Sequence, residues 1–170
     1  LNIAIQKGDI PSIVRLLKAS AQINISDKFN QTPLSIAIAQ QNTQIIDLLL
    51  NNGADPNFAA AGQQKPIIIA IHKKDNMIVQ KLINGGAFET RDDNCVFIFA
   101  TLYGTPEILN TLTRYQNLFD INKKNKNEET ALYIAADRAL DQQVAILLAA
   151  KTNPKTPGRF NQTPATANAR

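Results

Sequence analysis

The stretch Asn30-Gln31-Thr32-Pro33-Leu34-Ser35-Ile36-Ala37, followed by Ile45-Ile46-Asp47-Leu48-Leu49-Leu50 and then Asn52-Gly53-Ala54-Asp55-Pro56-Asn57, decides the fold. The Thr32 hydroxyl can take one of the amides that a helix start leaves without a partner, and Pro33 has no amide to satisfy. A helix therefore begins at Pro33, with Leu34, Ile36, Ala37 and Ile38 on its packed side. After a polar turn over residues 40–43, a second helix is expected over residues 44–51. Ile45, Ile46, Leu48 and Leu49 form its buried stripe, and Gly53 is placed to end it in the left-handed conformation. Residues 54–64 then leave the helix pair as an extended loop or short hairpin and return to the next helix at Pro66.

The same layout recurs along the chain. Ala4, Ala37 and Ala70 stand 33 residues apart, Ala100 follows after 30 and Ala135 after 35. A period in this range describes stacked helical units that bury their faces against one another. The units fall at about 1–30, 31–63, 64–93, 94–128 and 129–161, with a partial unit over 162–170, all within one domain of 170 residues. Alanine suits a position where two helices approach closely, because a larger side chain there forces them apart. The third unit repeats Ile67, Ile69, Ile78, Val79, Leu82 and Ile83. The fourth runs through Phe97, Ile98 and Phe99, and its second helix opens at Thr105-Pro106-Glu107. Its preceding loop, residues 88–94, is three residues shorter than its counterpart and predicts a blunter finger. Both chain ends fall inside repeats, so open apolar stacking faces or further sequence are expected there.

Composition narrows the chemistry. Trp is absent and aromatics make up 6% of the chain, so Ile, Leu and Ala at helical spacing must supply the burial. The single Cys95 cannot form an internal disulfide, which points to a reducing, cytoplasmic setting. No apolar run reaches the length of a membrane span. The formal charge of +4 comes from Lys and Arg spread over the whole length, with no dense arginine stripe and interleaved aromatics of the kind that marks a nucleic-acid surface.

The Gln31-Thr32-Pro33-Leu34 opening, the Ile13-Val14-Arg15-Leu16-Leu17 second helix after Lys7-Gly8-Asp9, and the Asn52-Gly53-Ala54-Asp55-Pro56-Asn57 loop resemble ankyrin repeats, whose hallmarks are Thr-Pro-Leu-His-x-Ala, Gly-x-x-x-Ile-Val-x-x-Leu-Leu and Gly-Ala-Asp-x-Asn. The resemblance covers essentially the whole chain and implies an all-α ankyrin solenoid with protruding loops or short hairpins. This chain departs from the pattern in two ways. The family's His position holds Asn2, Ser35, Ile68, Ile98 and Tyr133. The mid-repeat Gly survives as Gly8 and Gly104 but is replaced by Gln41 and Lys74. The usual histidine hydrogen bonds between loops are therefore not expected. Divergent repeats rich in Asn, Gln, Ile and Lys are similar to those that intracellular bacteria deliver into eukaryotic cells, which implies a secreted effector acting on a host protein.

In such a stack the ends of the first helices and the loop tips line a concave groove. They offer Gln40, His72, Lys73, Leu102, Tyr103, Asp137 and Arg138, with Arg91, Lys124 and Lys126 on the fingers. Leu102 and Tyr103 between His72-Lys73 and Asp137-Arg138 predict an apolar centre with a polar surround, the layout of a protein-binding hot spot. Alternatively, the two side chains only close the packing beside the short loop. His72 is the sole histidine and has no companions at metal spacing, so neither metal nor cofactor is expected. Cys95 takes the cap position used by Thr32 and Thr130, and reads as a buried, inert thiol. Asp92 and Asp93 stand beside Arg91 without a packed carboxylate partner, which favours charge pairing over acid catalysis.

These readings predict a module without catalytic residues that binds another protein through its groove and fingers. The alternative is a substrate-recruiting or regulatory ankyrin domain of a larger enzyme or effector. A third reading, in which the lysines of residues 123–126 together with Lys73 and Lys74 meet phosphates, predicts binding that weakens with salt.

Overall fold

The computed structural model describes residues 1–89, 95–156 and 163–167, all of whose regular elements are α-helices. The chain divides into two compact units, residues 1–87 and 88–170. The first contains α1 (Asn2–Gln6), α2 (Ile10–Lys18), α3 (Pro33–Ala39), α4 (Thr43–Asn51), α5 (Pro66–His72) and α6 (Asn76–Asn84). Each short odd-numbered helix pairs with the even-numbered helix that follows it, and α1 packs on α3 and α3 on α5. The second unit contains α7 (Val96–Tyr103), α8 (Pro106–Thr113), α9 (Ala131–Asp137), α10 (Asp141–Ala149) and α11 (Pro164–Ala167). Here α7 packs on α9, α9 on α11, and α8 on α10. The interval between Phe58 and Gln64 forms turns, and no strand occurs among the described residues, so of the expected loop or short hairpin it is the loop that forms.

The local signals explain where the helices start. Thr32 Oγ1 accepts the Ser35 amide at 3.0 Å and Ser35 Oγ accepts the Thr32 amide at 2.9 Å, a reciprocal cap that satisfies two otherwise unpaired donors. Thr105 and Thr130 cap α8 and α9 from one side only, their hydroxyls accepting the amides of Ile108 and Tyr133. The helix expected from residue 44 begins one residue earlier, because Asn42 Oδ1 accepts the Ile45 amide and sets the start at Thr43. Ala37, Ala70, Ala100 and Ala135 are all buried, as the register predicts, while Ala4 is half-buried.

The turn between paired helices shows what the missing glycines cost. Gly8, Gln41, Lys74 and Ala139 occupy one register position, and all four are left-handed, with φ between 52° and 67°. A side chain in that region clashes with its own backbone, at a cost of about 1 kcal/mol. The fourth repeat differs. Gly104 has φ −79°, because α7 runs one residue further than its counterparts before the chain turns. Its glycine is required for space, since a Cβ there would lie 2.7 Å from the Ala100 carbonyl oxygen.

Two consequences can be measured. Lys74→Gly should raise the urea midpoint by an amount equivalent to about 0.5–1 kcal/mol, and Gly8→Ala should lower it by a similar amount. The carboxyls of Asp9 and Asp27 lie below their ordinary value. For Asp9 the Ser12 side chain and amide are the leading cause, and for Asp27 the Gln31 amide, followed by those of Phe29 and the Asn2 side chain. A depressed folded value means that these bonds stabilise the fold fully above the unfolded carboxylate range and are lost as pH falls through the lower folded value. Thermal midpoints should therefore be flat near neutrality and fall in acid, with a shallower acid fall in Asp27→Asn.

Candidate protein-binding site

The predicted surface residues fall into both units. In the first, Gln40, His72 and Lys73 are exposed at the ends of α3 and α5. Gln40 Nε2 donates to the Gln6 carbonyl at 3.0 Å, so this side chain also ties the end of one first helix to the next. His72 Nε2 lies 3.4 Å from Gln64 Nε2, which places the imidazole against its own loop.

In the second unit, the α7–α9 packing brings the end of α7, with Leu102 and Tyr103, beside the end of α9, with Asp137 and Arg138. Tyr103 is 46% exposed, and its ring meets that of Phe99 one turn back, with centroids 5.9 Å apart and planes tilted by 41°. Such a tilted contact holds the ring in place without covering its outer face. Leu102 is half-buried, and Asp137 and Arg138 are exposed. Leu102, Tyr103, Asp137 and Arg138 thus lie in this unit, whereas His72 and Lys73 belong to the other. Arg91, Asp92 and Asp93 lie outside the described residues.

The lysine finger is more self-contained than its composition predicts. Lys123 Nζ lies 3.6 Å from Glu89 Oε1 and Lys124 Nζ 3.0 Å from Glu128 Oε2. Asn125 organises the turn by accepting the amides of Asn127 and Glu129, and Lys126 is exposed. Two of the cations that were candidates for phosphate contact therefore neutralise carboxylates of the same unit.

Glu89 is the residue that sequence reasoning missed. Its side chain is 6% exposed. Oε1 accepts the Val96 amide at 3.2 Å and Oε2 the Asp120 amide at 2.7 Å, while the Glu89 amide donates to the Leu118 carbonyl. This carboxylate supplies the cap that Cys95 fails to provide. The Cys95 side chain makes no capping bond, and its buried thiol donates instead to the Lys124 carbonyl at 3.4 Å. No spacing rule signals such a contact, because its partners lie 7 and 31 residues away. Among the described residues no group of three His, Cys, Asp or Glu side chains is placed to hold a metal ion, and no helix is long and apolar enough to cross a membrane.

Against known proteins, residues 1–93 match the family model described as ankyrin repeats in three copies. No curated protein matches the chain significantly. Among solved structures, the chain is similar to one from the structure of the Bd0816 predatory endopeptidase of Bdellovibrio bacteriovorus in complex with the immunity protein Bd3460. That match covers 99% of this chain and 89% of the other, with 22% identity and a TM-score of 0.76. At this identity the likeness establishes the fold. It also corrects the expectation of a module with no catalytic connection, because the structure that holds this near full-length counterpart is that of an endopeptidase in complex with an immunity protein.

Glu89→Ala removes a buried acceptor from two amides and a lysine, so it should lower the stability of the chain by about 2–3 kcal/mol in urea titration. Lys124→Ala, which breaks a pair at the surface, should cost less than about 1 kcal/mol.

Proposed function

Because the chain belongs to the ankyrin-repeat family, we propose that it is a substrate-recruiting or regulatory domain that acts on an enzyme, holding its protein target against the ends of the first helices. The observation that carries this reading is Tyr103, an aromatic side chain exposed at the end of α7, steadied by Phe99 and flanked by the charged ends of α9. A ring immobilised before binding loses little entropy on contact, and a polar rim excludes water around it. Leu102, Asp137 and Arg138 complete that surface in the second unit. Gln40, His72 and Lys73 are separate candidates in the first unit, Lys124 and Lys126 are candidates on a finger of the second, and Arg91 lies outside the described residues. The solved counterpart makes a peptidase the first enzyme class to test and supports a bacterial setting. Action on a host protein rests on the Asn- and Gln-rich repeats, and a reducing compartment on the lone Cys95.

The immobilised chain should retain peptidase activity from a lysate of its source organism, read with a fluorogenic protein substrate. Tyr103→Ala should lower the affinity for the retained enzyme by about 2 kcal/mol, roughly thirtyfold, with helicity unchanged. Equal affinity of the two forms at equal helicity removes Tyr103 from the site. Retention of protein without any enzymatic activity removes the regulatory reading.

A further inference from the structure

Two Asn-Gly steps close second helices of the first unit, Asn52-Gly53 after α4 and Asn84-Gly85 at the end of α6. Glycine has no Cβ to keep its amide away from the preceding side chain, so its nitrogen can attack the asparagine Cγ. The new C–N bond closes a succinimide ring, and ammonia leaves with the glycine amide proton. Water then opens the ring at either carbonyl, giving aspartate or isoaspartate.

All four residues reach solvent, so the difference between the two steps lies in what holds the peptide between them. Asn52 is the C-cap residue of α4, outside its ladder, at φ −105° and ψ 18°. The Gly53 amide donates to the Leu50 carbonyl at 3.1 Å, a three-residue bond of the last turn, and Asn52 Nδ2 donates to the Leu48 carbonyl at the surface. Space around Gly53 is open, since a Cβ built there meets no heavy atom within 4 Å. Asn84 is still part of α6, and the Gly85 amide donates to the Lys81 carbonyl at 2.9 Å, a full α-helical bond. Gly85 also lies against Leu50, whose Cδ2 stands 3.1 Å from a Cβ built at Gly85. Ring closure requires the Asn-Gly peptide plane to swing. At Gly53 it swings into solvent, whereas at Gly85 it must open α6 and displace Leu50.

What Gly53 holds gives the reaction a consequence. Its carbonyl accepts Asn24 Nδ2 at 3.0 Å, and Asn24 Oδ1 accepts the Asp55 amide at 2.8 Å, so Asn24 bridges the first repeat to the loop of the second. Isoaspartate inserts one more carbon into the main chain between residues 52 and 53, a step of about 1.5 Å. It also leaves a carboxylate at the C-terminal end of α4, where the helix carbonyls repel it.

We propose that Asn52 is a site of self-modification, at which cyclisation onto Gly53 and opening to isoaspartate release the Asn24 bridge between the first two repeats. Asn84, with the same dipeptide, is protected by its packing. The site lies in the first unit and is independent of the recruiting role assigned to Tyr103.

The test ages the full chain in mildly alkaline buffer and reads aspartate and isoaspartate at residues 52 and 84 by peptide mapping. Asn52 should convert about fivefold faster than Asn84, and the two rates should converge in urea, where packing is lost. Leu50→Ala should speed conversion at Asn84, and Asn52→Gln, which closes a ring less readily, should suppress conversion at residue 52 with helicity unchanged. In the converted chain the Asp55 amide should exchange with deuterium about fivefold faster, as it should in Asn24→Ala. Conversion of Asn84 as fast as Asn52 in the folded chain, or none at Asn52 over a time in which the chain in urea converts, overturns the site. Unchanged exchange at Asp55 after conversion overturns the release of the bridge.

Discussion

The close approach of successive first helices is the contact on which the rest of the structure depends. Ala37 and Ala70 in the first unit, and Ala100 and Ala135 in the second, are buried where one first helix meets the next, and a single methyl group is what the spacing accommodates. Around them Ile36, Ile38, Ile67 and Ile71 in one unit, and Val96, Phe97, Leu132 and Ile134 in the other, leave water against their sequential neighbours. No helix of five to nine residues is stable alone. Each pair therefore owes its order to the next, and side chains facing away from these contacts can vary without loss of fold. Function is free to reside there.

Neutral amides do the work that histidines were not available to do. Asn24 donates to the Gly53 carbonyl at 3.0 Å and accepts the Asp55 amide at 2.8 Å, and Asn57 donates to the Gly86 carbonyl at 3.0 Å. Gln40 reaches Gln6, Gln41 reaches Asp75, and Gln116 reaches the Ala150 carbonyl. An amide side chain carries donor and acceptor together and bridges two backbone groups without a titrating proton. The abundance of Asn and Gln is thus in part the glue between consecutive repeats. It ties one repeat to the next at fixed positions.

The second unit solves the same problem with charge. Its leading loop is short and Cys95 makes no capping bond, so the buried Glu89 carboxylate joins the start of α7 to the following finger and to Lys123. A buried carboxylate is tolerable only with such partners. The cost falls on the lysines, which are drawn into internal pairs and present less free charge to a phosphate or an acidic surface. Tyr103, whose ring meets that of Phe99, keeps 46% of its surface exposed, and the proposed enzyme-recruiting role is assigned to this aromatic end of α7 for that reason.

Much of the architecture was legible because its causes are local. A Thr-Pro step starts a helix, Gly53 ends one at φ 89°, and a 33-residue alanine register states which faces must meet; each depends on a few neighbouring residues and repeats often enough to be recognised. The proposed binding surface was legible only as exposed register positions such as Tyr103 and Arg138. What escaped were partners chosen across about 30 residues by side-chain reach: Glu89 with Asp120, Lys81 with Asp47 at 2.6 Å, and Asn2 with the first finger. Gly104, which keeps the family's mid-repeat glycine, serves a steric need there. By itself the sequence determined the helix pairs and their order, since backbone capping and periodic burial act over single turns. Only the tertiary structure decided which exposed groups remain available to another molecule, because that depends on which polar side chains the packing has already brought within hydrogen-bonding distance of one another.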